Sequence, residues 1–321
     1  MKSTAVALSL LALFGSCSGP LEPRKNRDPS AIPLLAGLEP WLSAREALVP
    51  GIKPGVEAGI VWADPQRKEK TPIALVYLPG YTATRGEISP VTERMAKTLG
   101  ANLFFVRPTG QGTGFEGHRT VTAADWLSDG LEAFEIGQRL GDRVVLVATS
   151  TGGTLATWLI LGPARLEPAA TILISPNLTP KNNQSEMLLW PGNEWLLAWM
   201  VGDKMEFKPE NDIVARYWDT THHSHSLIPM MQLVDGARKL DFTRWPTPVL
   251  VVYDPEDDVV AETVTVRLFS KAPQETTTLL RWTAAEGENH HVLAGEALSP
   301  GGTGKMVDAG IAFLKRVLGT L

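Results

Sequence analysis

Short apolar runs alternate with helix-like stretches from about residue 58 onward. The runs hold aliphatic and β-branched residues without polar alternation, which is the pattern of strands buried on both faces of a parallel sheet. They cover residues 58–62, 73–78, 102–106, 144–147, 171–174, 249–253 and 278–282. Helical patterns cover residues 93–99, 125–140 and 306–318. This alternation predicts an α/β fold, with a mostly parallel central sheet and helices on both faces.

One long interval, residues 177–245, interrupts the alternation and shows no clear strand. It is rich in tryptophan and methionine, namely Met187, Trp190, Trp195, Trp199, Met200, Met205, Trp218, Met230 and Met231. We predict that this insertion is a cap or lid, because a soft aromatic lining suits a substrate with an apolar part. The alternative is that most of these side chains attach the insertion to the main domain.

The first 17 residues have the pattern of an export signal. Lys2 precedes an apolar run over residues 5–14, which is too short to span a bilayer stably, and small residues lead to Cys17, the only cysteine. Residues 13–17 resemble the lipobox of bacterial lipoproteins, with Phe14 where leucine is usual. We expect an exported protein, periplasmic or tethered to a membrane through Cys17. Plain cleavage with secretion and an incidental cysteine are the alternatives.

Beyond the signal, residues 18–45 are expected to form a tether, since four prolines lie among charges within residues 18–33. Residues 46–321 are expected to form the folded domain. The 30 basic and 35 acidic residues give a formal net charge of -5, which argues against nucleic-acid binding.

Two further patterns resemble ligand sites only weakly. The glycines of residues 110–114 lack the G-x-G-x-x-G spacing of dinucleotide-binding loops. His222, His223 and His225 have no fixed metal-ligand spacing and are expected to lie on the solvated surface. We therefore expect neither a cofactor nor a metal, and the oligomeric state is left open.

Ser150 follows the apolar run of residues 144–147 and is flanked by small residues at Ala148 and Gly152. A strand that turns sharply into a helix through small-x-Ser-x-Gly is a nucleophile elbow, in which the serine backbone is strained. The alternative is that residues 149–151 are an ordinary helix N-cap cluster.

A carboxylate and a histidine follow later strands. Asp254, Glu256, Asp257 and Asp258 follow the strand at 249–253, and we favour Asp257 because it lies out on the loop. Asp254 could instead form an Asx-turn with its own backbone. His290 and His291 follow the last strand, and we favour His291, with His290 as the second choice. The chain order Ser, Asp, His is that of α/β-hydrolases.

Five segments together resemble the serine esterases and lipases of the α/β-hydrolase fold, close to the monoacylglycerol-lipase-like and carboxylesterase-like branch. They are residues 78–81, 108–112, 148–153, 257–260 and 291–293. Two positions depart from the family pattern: Pro79 stands where a His-Gly motif often has histidine, and Gln111 replaces the histidine of a Gly-His-Gly segment.

The resemblance implies that Ser150 is the nucleophile, His291 the general base and Asp257 the residue that orients it. The backbone N–H groups of Tyr81 and Thr151 would form the oxyanion hole. The implied activity is hydrolysis of small-molecule carboxylic esters with an apolar acyl part. A serine peptidase or amidase and a non-catalytic binding protein on this fold are the alternatives.

Overall fold

The computed structural model describes residues 21–24 and 31–319. The proposed signal segment with Cys17, and residues 18–20 and 25–30 of the proposed tether, lie outside the described residues. No helix among the residues described is both long enough and apolar enough to cross a bilayer.

The described residues form strands, α-helices and short 3-10 helices in alternation. The strands are β1 (Gly59–Val61), β2 (Thr71–Leu78), β3 (Asn102–Phe105), β4 (Gly141–Thr149), β5 (Ala170–Ile174), β6 (Lys204–Glu206), β7 (Thr221–His223), β8 (Val249–Tyr253) and β9 (Thr277–Arg281). The α-helices are α1 (Leu35–Ala47), α2 (Val91–Leu99), α3 (Gly114–Gly117), α4 (Ala123–Leu140), α5 (Thr151–Leu161), α6 (Asn193–Val201), α7 (Asp212–Tyr217), α8 (Leu227–Arg238), α9 (Glu262–Phe269) and α10 (Gly302–Leu318). The 3-10 helices are Asn183–Leu189, Ser224–Ser226 and Phe242–Arg244.

Seven strands form one sheet in the order β1-β3-β2-β4-β5-β8-β9. All neighbouring pairs are parallel except β1 with β3, which is antiparallel. The predicted mostly parallel sheet is therefore confirmed. The carboxyl ends of β4, β8 and β9 lie at one edge of this sheet, so the loops that follow these strands can meet there.

The central strands are covered on both faces, as their apolar runs predict. In β4, Leu146 and Ala148 pack with α4, α5 and α8, whereas Val145 and Val147 pack on the opposite face with α2 and α10. All four side chains are at most 1% exposed. Because side chains alternate across a strand, a β4 segment apolar at every position requires a core on each side.

The tether prediction is wrong for its second half. Residues 35–47 form α1, which buries Leu38 and Leu42 against the domain, and Arg107 binds Glu46 at 2.6 Å. Further upstream, the Arg24 guanidinium pairs with Asp125, with Nη2 2.9 Å from Oδ2. The buried residues of α1, Leu38 and Leu42, have helical spacing, but the prolines and charges around them favoured the prediction of a tether. The folded domain therefore begins at least ten residues before position 46.

The insertion lies between β5 and β8, and the prediction that it has no strand is also wrong. Strands β6 and β7 form an antiparallel pair, with Met205 opposite His222. Its last helix, α8, packs on α5 and buries Met231, Leu233 and Val234 completely. This part of the insertion therefore belongs to the main core. For these residues, the alternative that their side chains attach the insertion to the main domain applies.

Candidate active site

Ser150 lies at the turn between β4 and α5, with backbone angles φ 50° and ψ -118°. A non-glycine residue in this region is strained and is held there by its surroundings. The Ser150 N–H donates to the Ile174 carbonyl at 3.0 Å, and the Ser150 carbonyl accepts from Asn177 at 3.0 Å. A side chain on Gly152 would collide with the Leu78 carbonyl oxygen. The local packing therefore requires both the sharp turn and the small flanking residue.

The Ser150 hydroxyl makes no helix-capping hydrogen bond. It lies instead 2.9 Å from His291 Nε2, and His291 Nδ1 lies 2.8 Å from Asp257 Oδ2. The three residues are 6%, 7% and 1% exposed. The structure thus brings together the serine, histidine and aspartate that the sequence analysis favours.

Asp257 is itself held by the loop after β8. Its Oδ1 accepts from the Val259 N–H at 2.8 Å and from the Val260 N–H at 2.9 Å, which leaves Oδ2 directed at His291. A carboxylate can only accept, so His291 carries its proton on Nδ1 and presents a free lone pair at Nε2.

Two of the other candidates, Asp254 and His290, form a separate pair. Asp254 makes the expected Asx-turn, accepting from the Glu256 N–H at 2.9 Å, and its Oδ2 lies 3.1 Å from His290 Nδ1. Burial raises the pKa of Asp254, but the hydrogen bonds from Glu256, Ala284 and His290 outweigh it and lower the pKa overall. His290 is therefore engaged away from Ser150.

Gly80 and Tyr81, which follow β2, lie beside Ser150. A Cβ on Gly80 would lie 2.5 Å from Glu87 Oε1 and 3.2 Å from the Ser150 Cβ, so any larger residue would displace these side chains. Among the residues described, the N–H of Tyr81 and that of Thr151 donate to no backbone acceptor. Thr151 is the first residue of α5, where helix N–H groups lack internal partners. Two free donors therefore border the serine.

We call residues 80–84 the oxyanion loop. On its core side lies Glu87, which is 2% exposed. One oxygen of Glu87 accepts from the Gly80 N–H at 2.7 Å and from the Tyr77 hydroxyl at 2.6 Å. Burial raises the pKa of Glu87, and these two hydrogen bonds and the nearby His291 oppose that rise. Glu87 thus holds the Pro79–Gly80 peptide, one peptide unit before the Tyr81 N–H.

Gln111, the departure from the Gly-His-Gly pattern, also holds the oxyanion loop. It is 2% exposed, and with its amide nitrogen directed at the loop it donates to the Gly80 carbonyl at 3.0 Å and to the Ala83 carbonyl. A side-chain amide supplies this pair of bonds without a charge.

Sequence reasoning missed Glu87, and it did not assign Gln111 a role. Glu87 lies in an irregular segment with no periodic pattern, so nothing in the sequence marks its burial. Gln111 carried a signal, because an amide stood where the family has another hydrogen-bonding side chain. The prediction for His222 is wrong, since it is buried at 5% exposure.

The comparisons with known proteins agree with this geometry. The model of the Alpha/beta hydrolase family matches residues 75–297, which is well over half of the chain. The chain therefore belongs to that family. No curated protein sequence matches it.

Solved structures with the same fold include lipolytic enzymes at low sequence identity. A structure from the work on LipS and LipT, two metagenome-derived lipolytic enzymes, is 18% identical, covers 83% of this chain and 99% of its own, and has a TM-score of 0.66. The monoacylglycerol lipase of Paleococcus ferrophilus is 16% identical, with 81% and 98% covered and a TM-score of 0.59. Est1E of Butyrivibrio proteoclasticus, bound to ferulic acid, is 16% identical, with 82% and 96% covered and a TM-score of 0.54.

These likenesses define the class of protein: an α/β-hydrolase whose neighbours in fold are lipases and esterases. The predicted fold class is confirmed. At 16–18% identity, these similarities show the fold but do not identify the substrate.

Proposed function

We propose that this protein is a serine hydrolase that cleaves carboxylic esters of small molecules with an apolar acyl part. The observation that carries the proposal is the continuous chain of hydrogen bonds from Ser150 through His291 to Asp257. The lipase and esterase neighbours support ester bonds as the substrate class.

In the proposed reaction, the Ser150 oxygen attacks the ester carbonyl while its proton passes to His291 Nε2. The bond from carbon to the alcohol oxygen then breaks, and His291 returns the proton to the leaving alcohol. Water attacks the resulting acyl-enzyme by the same route, releases the acid and restores Ser150. Asp257 holds the imidazole in the required tautomer and stabilises its protonated form.

The negative oxygen of each tetrahedral intermediate needs hydrogen-bond donors that are already in position. The N–H groups of Tyr81 and Thr151 would supply them, aided by the positive end of α5. Loss of one such donor typically costs about 2.7–4 kcal/mol of transition-state stabilisation.

A fluorophosphonate probe tests the nucleophile. We expect the folded wild-type protein to form an adduct on Ser150, and Ser150→Ala to form none and to lose turnover. Thermal unfolding is the control, because Ser150→Ala should melt within a few degrees of wild type. A fully active Ser150→Ala variant, or no adduct on wild-type Ser150, would refute the proposal.

Matched substrates test the bond type. We expect faster hydrolysis of p-nitrophenyl esters than of the corresponding aminoacyl anilides. Varying the acyl chain from two to twelve carbons would define the acyl preference. Faster turnover of the anilides would favour a peptidase or amidase instead.

We further propose that the protein is exported and tethered to a membrane through Cys17. The lipobox-like sequence before that residue supports the proposal. Cys17→Ser should move the protein from the membrane fraction to the soluble fraction, with activity per folded molecule unchanged. Unchanged membrane partition would contradict it.

A further inference from the structure

A second serine, histidine and aspartate lie within hydrogen-bond distance of one another, away from the candidate nucleophile. His118 Nδ1 lies 3.0 Å from Ser226 Oγ, and His118 Nε2 lies 3.0 Å from Asp219 Oδ2. These residues are 0%, 0% and 1% exposed. Because no substrate can reach a serine that is fully buried, this set is not a second active site.

This set of Ser226, His118 and Asp219 is hydrogen-bonded directly to Tyr81, the residue proposed to supply an oxyanion donor. The Tyr81 hydroxyl lies 2.6 Å from Ser226 Oγ. Ser226 also donates to the His223 carbonyl at 3.0 Å. Tyr81 thus directly follows Gly80, which lies against Ser150, and its side chain is hydrogen-bonded to the insertion.

The number of available protons determines which groups donate in the hydrogen bonds at Ser226 Oγ. Ser226 has a single proton and gives it to the His223 carbonyl, which can only accept. Tyr81 and His118 therefore both donate to Ser226 Oγ. Burial raises the pKa of the Tyr81 hydroxyl, which keeps it protonated as a donor. The His118 ring therefore bridges the two residues, with Nδ1 at Ser226 Oγ and Nε2 at the Asp219 carboxylate.

Asp219 contacts the ring nitrogen of His118 that does not face Ser226. Its carboxylate accepts from the Gly112 N–H at 2.7 Å and from the Gly114 N–H at 3.0 Å, and Lys53 Nζ lies 3.4 Å away. Burial raises the pKa of Asp219, but the contacts with His118, Lys53 and Gly112 lower it overall. The Asp219 carboxylate is therefore held against His118 and is tied to the backbone of Gly112 and Gly114.

The backbone of the same segment also lies on the oxyanion loop. The Asp219 N–H donates to the Thr82 carbonyl at 2.8 Å, and Trp218 forms an isolated β-bridge with Ala83. Residues 218–226 of the insertion therefore contact the loop through both main-chain and side-chain bonds.

We infer that Ser226, His118 and Asp219 are positioning residues, which fix Tyr81 so that its backbone N–H points at the oxyanion. This inference rests on the proposed ester hydrolase function. It assigns to the insertion a part in assembling the oxyanion hole, in addition to any part in substrate selection. Ser226 acts through Tyr81: among the residues described, its hydrogen bonds are to Tyr81, His118 and the His223 carbonyl, and none joins it to the Ser150, His291 and Asp257 set.

An oxyanion donor acts mainly in the transition state, so its misplacement lowers kcat and leaves KM nearly unchanged. We expect Ser226→Ala to reduce kcat on a p-nitrophenyl ester by about tenfold or more, a smaller effect than deletion of a donor. Tyr81→Phe should produce a similar loss. The double variant should lose no more than the more affected single variant, since both remove the same hydrogen bond.

Ser224→Ala is the matched control. Ser224 is two residues away in the same 3-10 helix and 2% exposed, and its hydroxyl donates to the Gly202 carbonyl at 2.6 Å rather than toward Tyr81. Its variant should keep kcat within about twofold of wild type because its lost bond is an ordinary one outside the network. Thermal unfolding of each variant confirms that the measured protein is folded.

The outcomes separate this inference from the function on which it rests. If wild-type protein hydrolyses the ester and Ser226→Ala keeps its kcat, the inference is overturned and the function stands. Equal losses in Ser224→Ala and Ser226→Ala, or additive losses in the double variant, also overturn the inference. If wild-type protein neither hydrolyses esters nor reacts with a fluorophosphonate, the function fails and the inference fails with it.

Discussion

Two segments of the insertion lie in opposite environments. The outer segment, residues 183–201, buries only Leu197 and exposes Trp195 and Trp199, whose rings stack with centroids 6.4 Å apart. These two tryptophans are 72% and 73% exposed. The inner segment, residues 217–238, instead buries Trp218 and most of α8.

The difference shows that an insertion rich in tryptophan and methionine need not act as one unit. The inner segment is continuous with the core and with the oxyanion loop, whereas the outer segment has few buried contacts. Stability and catalytic geometry should therefore depend on the inner segment. Any opening motion should be confined to the outer one, since segments with few buried contacts open most readily.

The largest expected effect is on the buried charge of the inner segment. Asp219→Ala leaves His118 without its carboxylate and the N–H groups of Gly112 and Gly114 without an acceptor. Removing one partner of a buried pair typically costs about 3–5 kcal/mol of unfolding free energy. Urea unfolding measures this loss. Glu194→Ala, on the exposed face of α6, is the control from the outer segment, and an equal loss there would contradict the comparison.

A cavity in α8 should cost nearly as much. Leu233 is 0% exposed, and Leu233→Ala should lower the free energy of unfolding by about 2–5 kcal/mol. The measurement is again urea unfolding, monitored by circular dichroism at helical wavelengths. A loss under 1 kcal/mol would mean that α8 is only loosely attached, like the outer segment.

A change on the core side of the oxyanion loop should have a smaller effect that depends on pH. The folded protein raises the pKa of Glu87, so it binds that proton more tightly than the unfolded chain does. Stability contributed in this way is present at low pH and is lost as pH rises from the unfolded pKa through the folded one. Each unit of difference corresponds to about 1.4 kcal/mol.

Glu87→Gln lacks this proton but can keep one acceptor oxygen for Gly80 and Tyr77. The melting temperature of the variant relative to wild type should therefore increase as pH is raised from 4 to 8. A difference that stays constant over this range would show that burial of the Glu87 carboxyl is not linked to folding.

The smallest effect is expected at the exposed tryptophans. Trp199→Ala should change the free energy of unfolding by about 0.5 kcal/mol or less, as is usual for exposed positions. Thermal unfolding at one pH is sufficient to measure it. A loss comparable to that of Leu233→Ala would show that the outer segment is packed as firmly as the inner one.

The main elements of the fold were predictable because each carries its own periodic signal. The run at residues 144–147 had no polar position, which required cover on both faces of β4. Helix α1 escaped prediction because its buried residues, Leu38 and Leu42, are few and lie among prolines. Strands β6 and β7 have only three residues each, too few for a pattern to emerge.

The pairing of Ser150, Asp257 and His291 was predictable because chain order and parallel strands bring successive loops to one edge of the sheet. Which of Asp254 and Asp257 faces His291 is set by the folded conformation of the loop after β8. The sequence alone does not determine that conformation. Glu87, His118 and Ser226 could not be found, since their burial comes from segments far apart in sequence. No local spacing records such a contact.

The hydrogen bond between Tyr81 and Ser226 limits how this enzyme scaffold can be re-engineered. A designer who wishes to graft a foreign cap onto this chain can replace residues 183–201 at lower cost, provided that the contacts of Glu186 with Arg238 and of Leu197 with its neighbours are replaced. Replacing residues 218–226 along with them would remove the side chains that we infer position the Tyr81 N–H. Successful chimeras should therefore carry their new specificity in the outer portion and retain the native sequence from Trp218 to Ser226.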